Sequence, residues 1–231
     1  MAPPELALPG RFHGAIFDCD GVLVDSEPAW GRAEARLLAR RGHVYTEADH
    51  RETVGRSIDL SVAVYAERLG LPADQVPGLR SELIDLARDE FTAGLALRPG
   101  AAELVAALRP FMRLALASNT DRPLVDLALA GTPFATSFDV IVTGDDVEHS
   151  KPAPDLYALA CRRLGIRPSD GIAFEDSAPG VRSAKAAGLT VVAVPQLPGL
   201  AIGAADIVVD SLAELVVGKD PGREADPRLR R

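Results

Sequence analysis

The sequence predicts an α/β protein, in which a Rossmann-like parallel sheet carries an inserted helical domain. A short apolar run at 15–17 ends in closely spaced carboxylates, as a buried strand does at its carboxyl end. Helical periodicity then continues over 28–91 with no strand predicted. From residue 98 onward, apolar runs alternate with amphipathic segments, which favours a parallel sheet covered on both faces. The helical stretch therefore indicates an insert behind the first strand.

The predicted elements follow from this periodicity in chain order. The predicted strands are 14–18, 113–118, 139–143, 171–175, 190–194 and 206–209. The predicted helices are 28–41, one that begins after Thr46, 57–69, 79–91, 101–109, 124–130, 154–164, 180–187 and 211–217. The expected organisation is a flexible N-terminus (1–10), an α/β catalytic core (11–26 and 98–218), a helical cap (27–97) and a disordered tail (219–231).

Composition restricts the partners that we expect. The chain has 231 residues, is 47% hydrophobic and carries a net charge of −8 without a basic cluster, so we expect no nucleic-acid partner. No signal-peptide pattern and no apolar run long enough to cross a bilayer are present. We therefore expect a cytoplasmic protein without a membrane partner, and a monomer.

Polar side chains follow the predicted strands where each one ends. They are Asp18 and Asp20, Ser118 and Asn119, Lys151 in the loop after the third strand, and Glu175 with Asp176. Any one of these could be a helix cap or a solvated loop residue. Successive parallel strands present their carboxyl ends at one edge, however, and this edge is where open α/β sheets bind ligands.

The residue types at this edge favour phosphoryl transfer. Side chains at i and i+2 of an extended chain point the same way, so Asp18 and Asp20 should emerge together. Clustered carboxylates form a hard oxygen site suited to Mg²⁺, which relieves their repulsion. An ammonium, a hydroxyl and a backbone amide can hold phosphate oxygens. A carboxylate can attack phosphorus while a second one transfers the proton.

Four motifs resemble those of the haloacid dehalogenase superfamily of phosphohydrolases. They are DCDGV at 18–22, LALAS at 114–118, KPAPD at 151–155 and FEDS at 174–177 with Gly180. Their order and spacing agree with the superfamily, and the helical insert is similar to its type 1 cap. The resemblance implies a phosphatase that works through an aspartyl phosphate.

The resemblance also implies the roles of the site residues. Asp18 would be the nucleophile and Asp20 the general acid/base, while Ser118, Asn119 and Lys151 would hold the phosphoryl group. The implied Mg²⁺ ligands are Asp18, the backbone carbonyl of Asp20, Glu175 and Asp176.

Two segments of the predicted cap bear on the substrate. DSEPAW at 25–30, followed by RAE at 32–34, and GRSID at 55–59 are similar to bacterial phosphatases that act on hexitol phosphates and 2-deoxyglucose 6-phosphate. The expected substrate is a small phosphorylated sugar or polyol, with Trp30, Gly55 and Arg56 as candidate contacts. Trp30 also lies on an apolar helix stripe, so packing in the core is an alternative role.

Three other activities compete with a phosphatase. A β-phosphoglucomutase-type mutase shares the nucleophile, but usually has a histidine where Trp30 falls and an arginine where Ile58 falls. A receiver module lacks both the helical insert and the second acid. A dehalogenase requires neither Mg²⁺ nor a proton donor for the leaving group. The acidic pair at 175–176, which would bind Mg²⁺, and Asp20, which would donate the proton, therefore argue against a dehalogenase.

Overall fold

The computed structural model describes residues 8, 10–54, 56–195, 202–215 and 217. The expectations for Gly55, for the tail 219–231 and for most of residues 1–10 lie outside the described residues. Six of the described strands form a parallel sheet in the order β5-β4-β1-β6-β7-β8. They are β1 (Gly14–Phe17), β4 (Arg113–Ala117), β5 (Val140–Val142), β6 (Gly171–Glu175), β7 (Thr190–Ala193) and β8 (Ile207–Val208). The predicted α/β class with a Rossmann-like sheet is confirmed.

The buried strands supply two hydrophobic cores, one on each face of the sheet. In β1, Ala15 and Phe17 belong to one core and Ile16 to the other, because successive side chains of a strand point to opposite faces. Phe17 stacks on Phe174 of β6 with 4.6 Å between the ring centroids. This packing fixes β1 and β6 side by side at the centre of the sheet.

Eight α-helices are described. They are α1 (Glu27–Ala39), α2 (Glu47–Thr53), α3 (Ile58–Arg68), α4 (Val76–Thr92), α5 (Ala101–Leu108), α6 (Arg122–Leu129), α7 (Asp155–Leu164) and α8 (Ala178–Ala186). Buried residues of α5 and α6 join the core that contains Phe17, and those of α7 and α8 join the core that contains Ile16. Helices therefore cover both faces, as a parallel sheet requires.

Helices α1 to α4 form the insert. It begins after β2 (Val24–Asp25) and ends before β3 (Ala96–Leu97), and these two short strands pair in antiparallel fashion. Thr46 caps α2 in a capping box with Asp49, so the predicted helix start is found. The sequence pattern did not predict the β2–β3 pair, since two residues are too few to show periodicity. The division of the chain at residues 27 and 97 stays a prediction.

The helix predicted over 211–217 is wrong for the residues described there. That segment forms a single 3₁₀ turn, Leu212–Glu214, and Leu215 is already extended. The backbone at Ala213 lies so close to Gly100 that a Cβ on this glycine would overlap it. This close contact holds a tight turn against the start of α5. Among the described residues, no helix is both long and apolar enough to span a bilayer.

Candidate active site

The strand register places the first predicted nucleophile at the centre of the sheet edge. Phe17 pairs with Leu116 of β4 and with Phe174 of β6. The amide of Asp18, the next residue, donates to the carbonyl of Phe174 at 3.0 Å. Asp18 therefore leaves β1 beside Glu175, the last residue of β6. Two neighbouring strands thus bring carboxylates from distant parts of the chain to one point.

Lys151 joins these two carboxylates. Its Nζ lies 2.9 Å from Oδ1 of Asp18 and 2.6 Å from Oε1 of Glu175. Its own amide donates to Oδ1 of Asn119 at 2.9 Å, which ties its loop to the end of β4. The amide of Cys19 also donates to Oδ1 of Asp18, at 2.8 Å. No described group donates a hydrogen bond to Oδ2 of Asp18, so this oxygen is the one available for reaction.

Glu175 is fully buried and both of its oxygens are occupied. Oε1 accepts hydrogen bonds from Lys151 and from the hydroxyl of Tyr157, both at 2.6 Å. Oε2 accepts from the amides of Asp176 and Ser177 and from the Ser177 hydroxyl. Because both carboxylate oxygens of Glu175 are held by these hydrogen bonds, the side chain is fixed in place. From this position it orients the ammonium group of Lys151 toward Asp18.

Burial and charge set the protonation behaviour of this cluster. Burial, followed by the charge of Glu175, raises the pKa of Asp18 well above its usual value, although Lys151 opposes this shift. The pKa of Lys151 is also raised, because Asp18 and Glu175 together outweigh the effect of its burial. Lys151 is therefore protonated at neutral pH, yet its single positive charge does not balance the carboxylates of Asp18, Glu175 and Asp176.

Asp20 is held by four side chains rather than by the lysine. Oδ1 accepts from the hydroxyl of Ser26 at 2.5 Å and from the indole of Trp30 at 3.4 Å. Oδ2 accepts from the hydroxyls of Thr120 at 2.9 Å and Ser118 at 3.2 Å. Both the sheet edge and α1 therefore fix the position of the predicted general acid/base.

The predicted residues surround one cleft of about 690 Å³, counted with its solvent-open part. The core side of this cleft includes Asp18, Asp20, Asn119, Lys151 and Asp176, and the cap side includes Trp30 and Arg56. Ser118 is fully buried beneath Asp20 and does not line the cleft. Trp30 also packs edge-on against Phe91, at 5.4 Å between ring centroids, so the predicted packing role is found, while its contact with a substrate stays a prediction.

The cleft also contains polar residues that were not among the predicted site residues, although Glu27, Glu34 and Ser177 lie within quoted motifs. They are Glu27, Glu34, Thr53, Ser61, Thr120 and Ser177. Thr120 could have been found, since it follows Ser118 by two positions as Asp20 follows Asp18. The cap residues gave no such signal, because helical spacing alone does not show which face meets the core. Glu27 is the most perturbed of them: burial, then the charges of Asp176 and Asp20, raise its pKa to about 8.

The donor set fits a hard divalent cation. One carboxylate oxygen from each of Asp18, Glu175 and Asp176 lies within 4.8 Å of the other two. Oxygen ligands of this kind suit Mg²⁺. Burial is the main cause of the raised pKa of Asp18, and the charges of Glu175 and Asp176, which a dication at this site would neutralise, add to it. Asp18 and Asp176 would be the ligands, while the occupied oxygens of Glu175 place it beside the cation.

Comparison with known proteins identifies the class. The family model for haloacid dehalogenase-like hydrolases matches residues 12–188. A phosphorylated carbohydrates phosphatase of Thermotoga maritima is 34% identical over 180 residues, which cover 77% of this chain and 82% of that protein. Hexitol phosphatase B of Escherichia coli K12 is 30% identical over 217 residues, which cover 91% and 97%.

A solved structure is similar as well. The crystal structure of CbbY from Rhodobacter sphaeroides in complex with phosphate superimposes with a TM-score of 0.80 at 31% identity, covering 88% of this chain and 96% of that one. The chain belongs to the haloacid dehalogenase-like hydrolases. The predictions of the superfamily and of an enzyme, a phosphoric monoester hydrolase, are confirmed.

Proposed function

We propose that this enzyme is a Mg²⁺-dependent phosphatase for a small phosphorylated sugar or polyol, with Asp18 as the nucleophile and Asp20 as the general acid/base. The observation that carries the proposal is the arrangement of Asp18. One of its oxygens is fixed by Lys151 and the Cys19 amide, and no group in the described part of the chain donates a hydrogen bond to the other. The named activities of the relatives from Thermotoga maritima and Escherichia coli support the substrate class.

The residues account for two chemical steps. Oδ2 of Asp18 attacks phosphorus, the bond from phosphorus to the sugar oxygen breaks, and protonated Asp20 gives its proton to that oxygen. Asp20, now a carboxylate, takes a proton from water, whose oxygen displaces Asp18 and releases inorganic phosphate. Lys151 and the buried amide nitrogen of Asn119, which has no hydrogen-bond partner among the described groups, would bind the phosphoryl oxygens. Mg²⁺, when bound, neutralises charge on the phosphoryl group and on the acids.

Substitution of the nucleophile tests the proposal. Asp18→Asn should reduce Mg²⁺-dependent phosphate release from sugar phosphates to background, because a neutral amide is a poor nucleophile. Wild-type enzyme quenched in acid during turnover should carry a phosphoryl group on Asp18 by mass spectrometry. Asp126→Asn is the matched control, since this aspartate lies on the exposed surface of α6 and pairs with the exposed Arg122. Substantial activity in Asp18→Asn would contradict covalent catalysis at this residue.

Analysis of the reaction products separates a phosphatase from the other activities. With β-glucose 1-phosphate, a phosphatase yields inorganic phosphate, whereas a mutase yields glucose 6-phosphate, and nuclear magnetic resonance distinguishes the two products. Ile58 lines the cleft where a mutase usually has an arginine, which favours the phosphatase. Halide release from 2-haloacids without metal would indicate a dehalogenase. A monomeric state, a cytoplasmic location and the lack of a nucleic-acid partner stay predictions.

A further inference from the structure

The cap side of the cleft carries a group of buried polar side chains that the proposed chemistry does not use. Glu34 of α1, Thr53 of α2 and Ser61 of α3 line the cleft, and they are 5%, 5% and 6% exposed. Each comes from a different helix, so the packing of the cap brings them together. Buried polar groups cost free energy unless they are hydrogen-bonded, which makes their convergence on a cleft informative.

Glu34 is the most unusual of the three because it has no cationic partner among the described residues. The arginines of the same helix face outward: Arg32 and Arg36 pair with Glu90 at 2.6 and 2.9 Å. A buried carboxylate without a cation is expensive, and a leucine of similar size would pack at lower cost. Packing alone therefore does not explain a glutamate at this position.

The hydroxyl groups near Glu34 leave its oxygens with spare accepting capacity. The Thr53 hydroxyl lies 3.5 Å from Oε2 of Glu34, but its single proton is better placed for the carbonyl of Asp49, at 3.0 Å. The Tyr65 hydroxyl has Thr53 as its partner, at 3.4 Å. The Tyr45 hydroxyl is buried near Glu34 and has no partner in hydrogen-bond geometry among the described groups. Burial raises the pKa of Glu34, and the nearby hydroxyls of Tyr45, Tyr65 and Thr53 offset this rise only in part.

We propose that Glu34 is a specificity-determining residue that binds a hydroxyl group of the leaving group, with Thr53 and Ser61 completing a hydroxyl-binding subsite in the cap. The inference rests on the proposed function and narrows its substrate class to phosphate esters of hydroxylated alcohols. A carboxyl oxygen accepts a hydrogen bond from a sugar or polyol hydroxyl, and an adjacent side-chain hydroxyl can donate to the same group. The catalytic groups lie on the opposite side of the cleft, so a bound substrate can contact both.

The subsite predicts a selective loss of activity. Sites built to hydrogen-bond a hydroxyl discriminate strongly against analogues that lack it, since the buried polar group is then left unpaired. Glu34→Leu should lower kcat/KM for sorbitol 6-phosphate and glucose 6-phosphate at least tenfold, chiefly through KM. It should change kcat/KM for p-nitrophenyl phosphate, whose leaving group has no further hydroxyl, by less than twofold. Glu34→Gln keeps one carbonyl acceptor, so its kcat/KM for the sugar phosphates should lie between those of wild type and Glu34→Leu.

Controls distinguish a substrate-binding role of Glu34 from a purely structural one. They also distinguish failure of the subsite from failure of the proposed function. Glu67→Leu, at an exposed position on α3, should leave all three substrates unchanged. Equal losses on p-nitrophenyl phosphate and on the sugar phosphates would mean that Glu34 only supports the fold, and no loss on any of them would also overturn the subsite. If Glu34→Leu does not fold, the isosteric Glu34→Gln provides the test, through the ratio of its kcat/KM for the sugar phosphates to its kcat/KM for p-nitrophenyl phosphate. Failure of the proposed function would look different, because wild type would then release no phosphate from any of the three.

Discussion

Two glycines in equivalent helix positions give a sharp test of how the catalytic lysine is held. Gly180 in α8 and Gly78 in α4 each follow a proline in the first turn of their helix. A Cβ on Gly180 would overlap the carboxyl group of Glu175, whereas a Cβ on Gly78 meets nothing within 4 Å. The two Gly→Ala substitutions therefore differ almost solely in whether they displace Glu175.

The expected magnitudes follow from the contacts of Glu175. An exposed helical glycine replaced by alanine gains ~0.5–1 kcal/mol, so Gly78→Ala should stabilise the protein by this amount. Overpacking costs ~1–3 kcal/mol, and a buried polar group that loses its partner costs about 1–3 kcal/mol. Glu175 cannot yield without losing Lys151 or Tyr157, so Gly180→Ala should destabilise the protein by a net ~2–4 kcal/mol.

Thermal unfolding and turnover together measure the effect. For a chain of this length 1 kcal/mol shifts Tm by roughly 2–4 °C, so Gly180→Ala should lower Tm by roughly 5–15 °C while Gly78→Ala raises it slightly. Gly180→Ala should also lower kcat by about tenfold or more, because Lys151 loses the carboxylate that aims it at Asp18. A Gly180→Ala protein as stable and as active as Gly78→Ala would refute the account of Glu175 given above.

Two further predictions concern charge. The folded-state pKa of Glu27, about 8 against a usual 4.5, means that the folded protein binds more protons than the unfolded chain between these values, so stability falls as pH rises through that window. In a metal chelator, Tm should therefore decline less steeply from pH 5 to pH 8 in Glu27→Gln than in wild type, and parallel curves would contradict the assignment. Arg80 of α4 lies 2.8 Å from Asp121, which immediately precedes α6, and so joins the insert to the sheet domain. Arg80→Met should cost about 1 kcal/mol in urea unfolding and raise KM, whereas Arg88→Met, which breaks only an exposed pair on the same helix, should stay within ~0.5 kcal/mol. Equal effects of the two arginine variants would argue against a link between the insert and the sheet.

Much of the fold could be predicted because its signals are local. The runs at 15–17 and 172–174 are apolar throughout, and periodicity identified α1 to α8 to within a few residues. The failure at 211–217 has a tertiary cause: the close contact with Gly100 holds that segment in a 3₁₀ turn. Pairing of β2 with β3 was missed because it joins residues on either side of the insert.

The active-site edge was predictable in outline and not in detail. Asp18, Asp20, Lys151, Glu175 and Asp176 follow strands that were predicted to be parallel, so their convergence on one edge was expected. The family resemblance implied that Lys151 orders Asp18, but the sequence did not reveal that Lys151 also binds Glu175 or that Glu175 is saturated by hydrogen bonds. These contacts join residues far apart in the chain, and their geometry depends on strand register and on the loop that carries the lysine.

By itself the sequence determined the order of strands and helices, the acidic strand end after β1 and the reaction class that these residues support. Only the tertiary structure decided which side chains of the insert face the cleft, Glu27 and Glu34 among them. The physical reason is that secondary structure and motif chemistry depend on neighbours along the chain. The face that a helix presents to a cleft depends instead on how four helices pack on one another and on the sheet, and no segment of the sequence encodes that by itself.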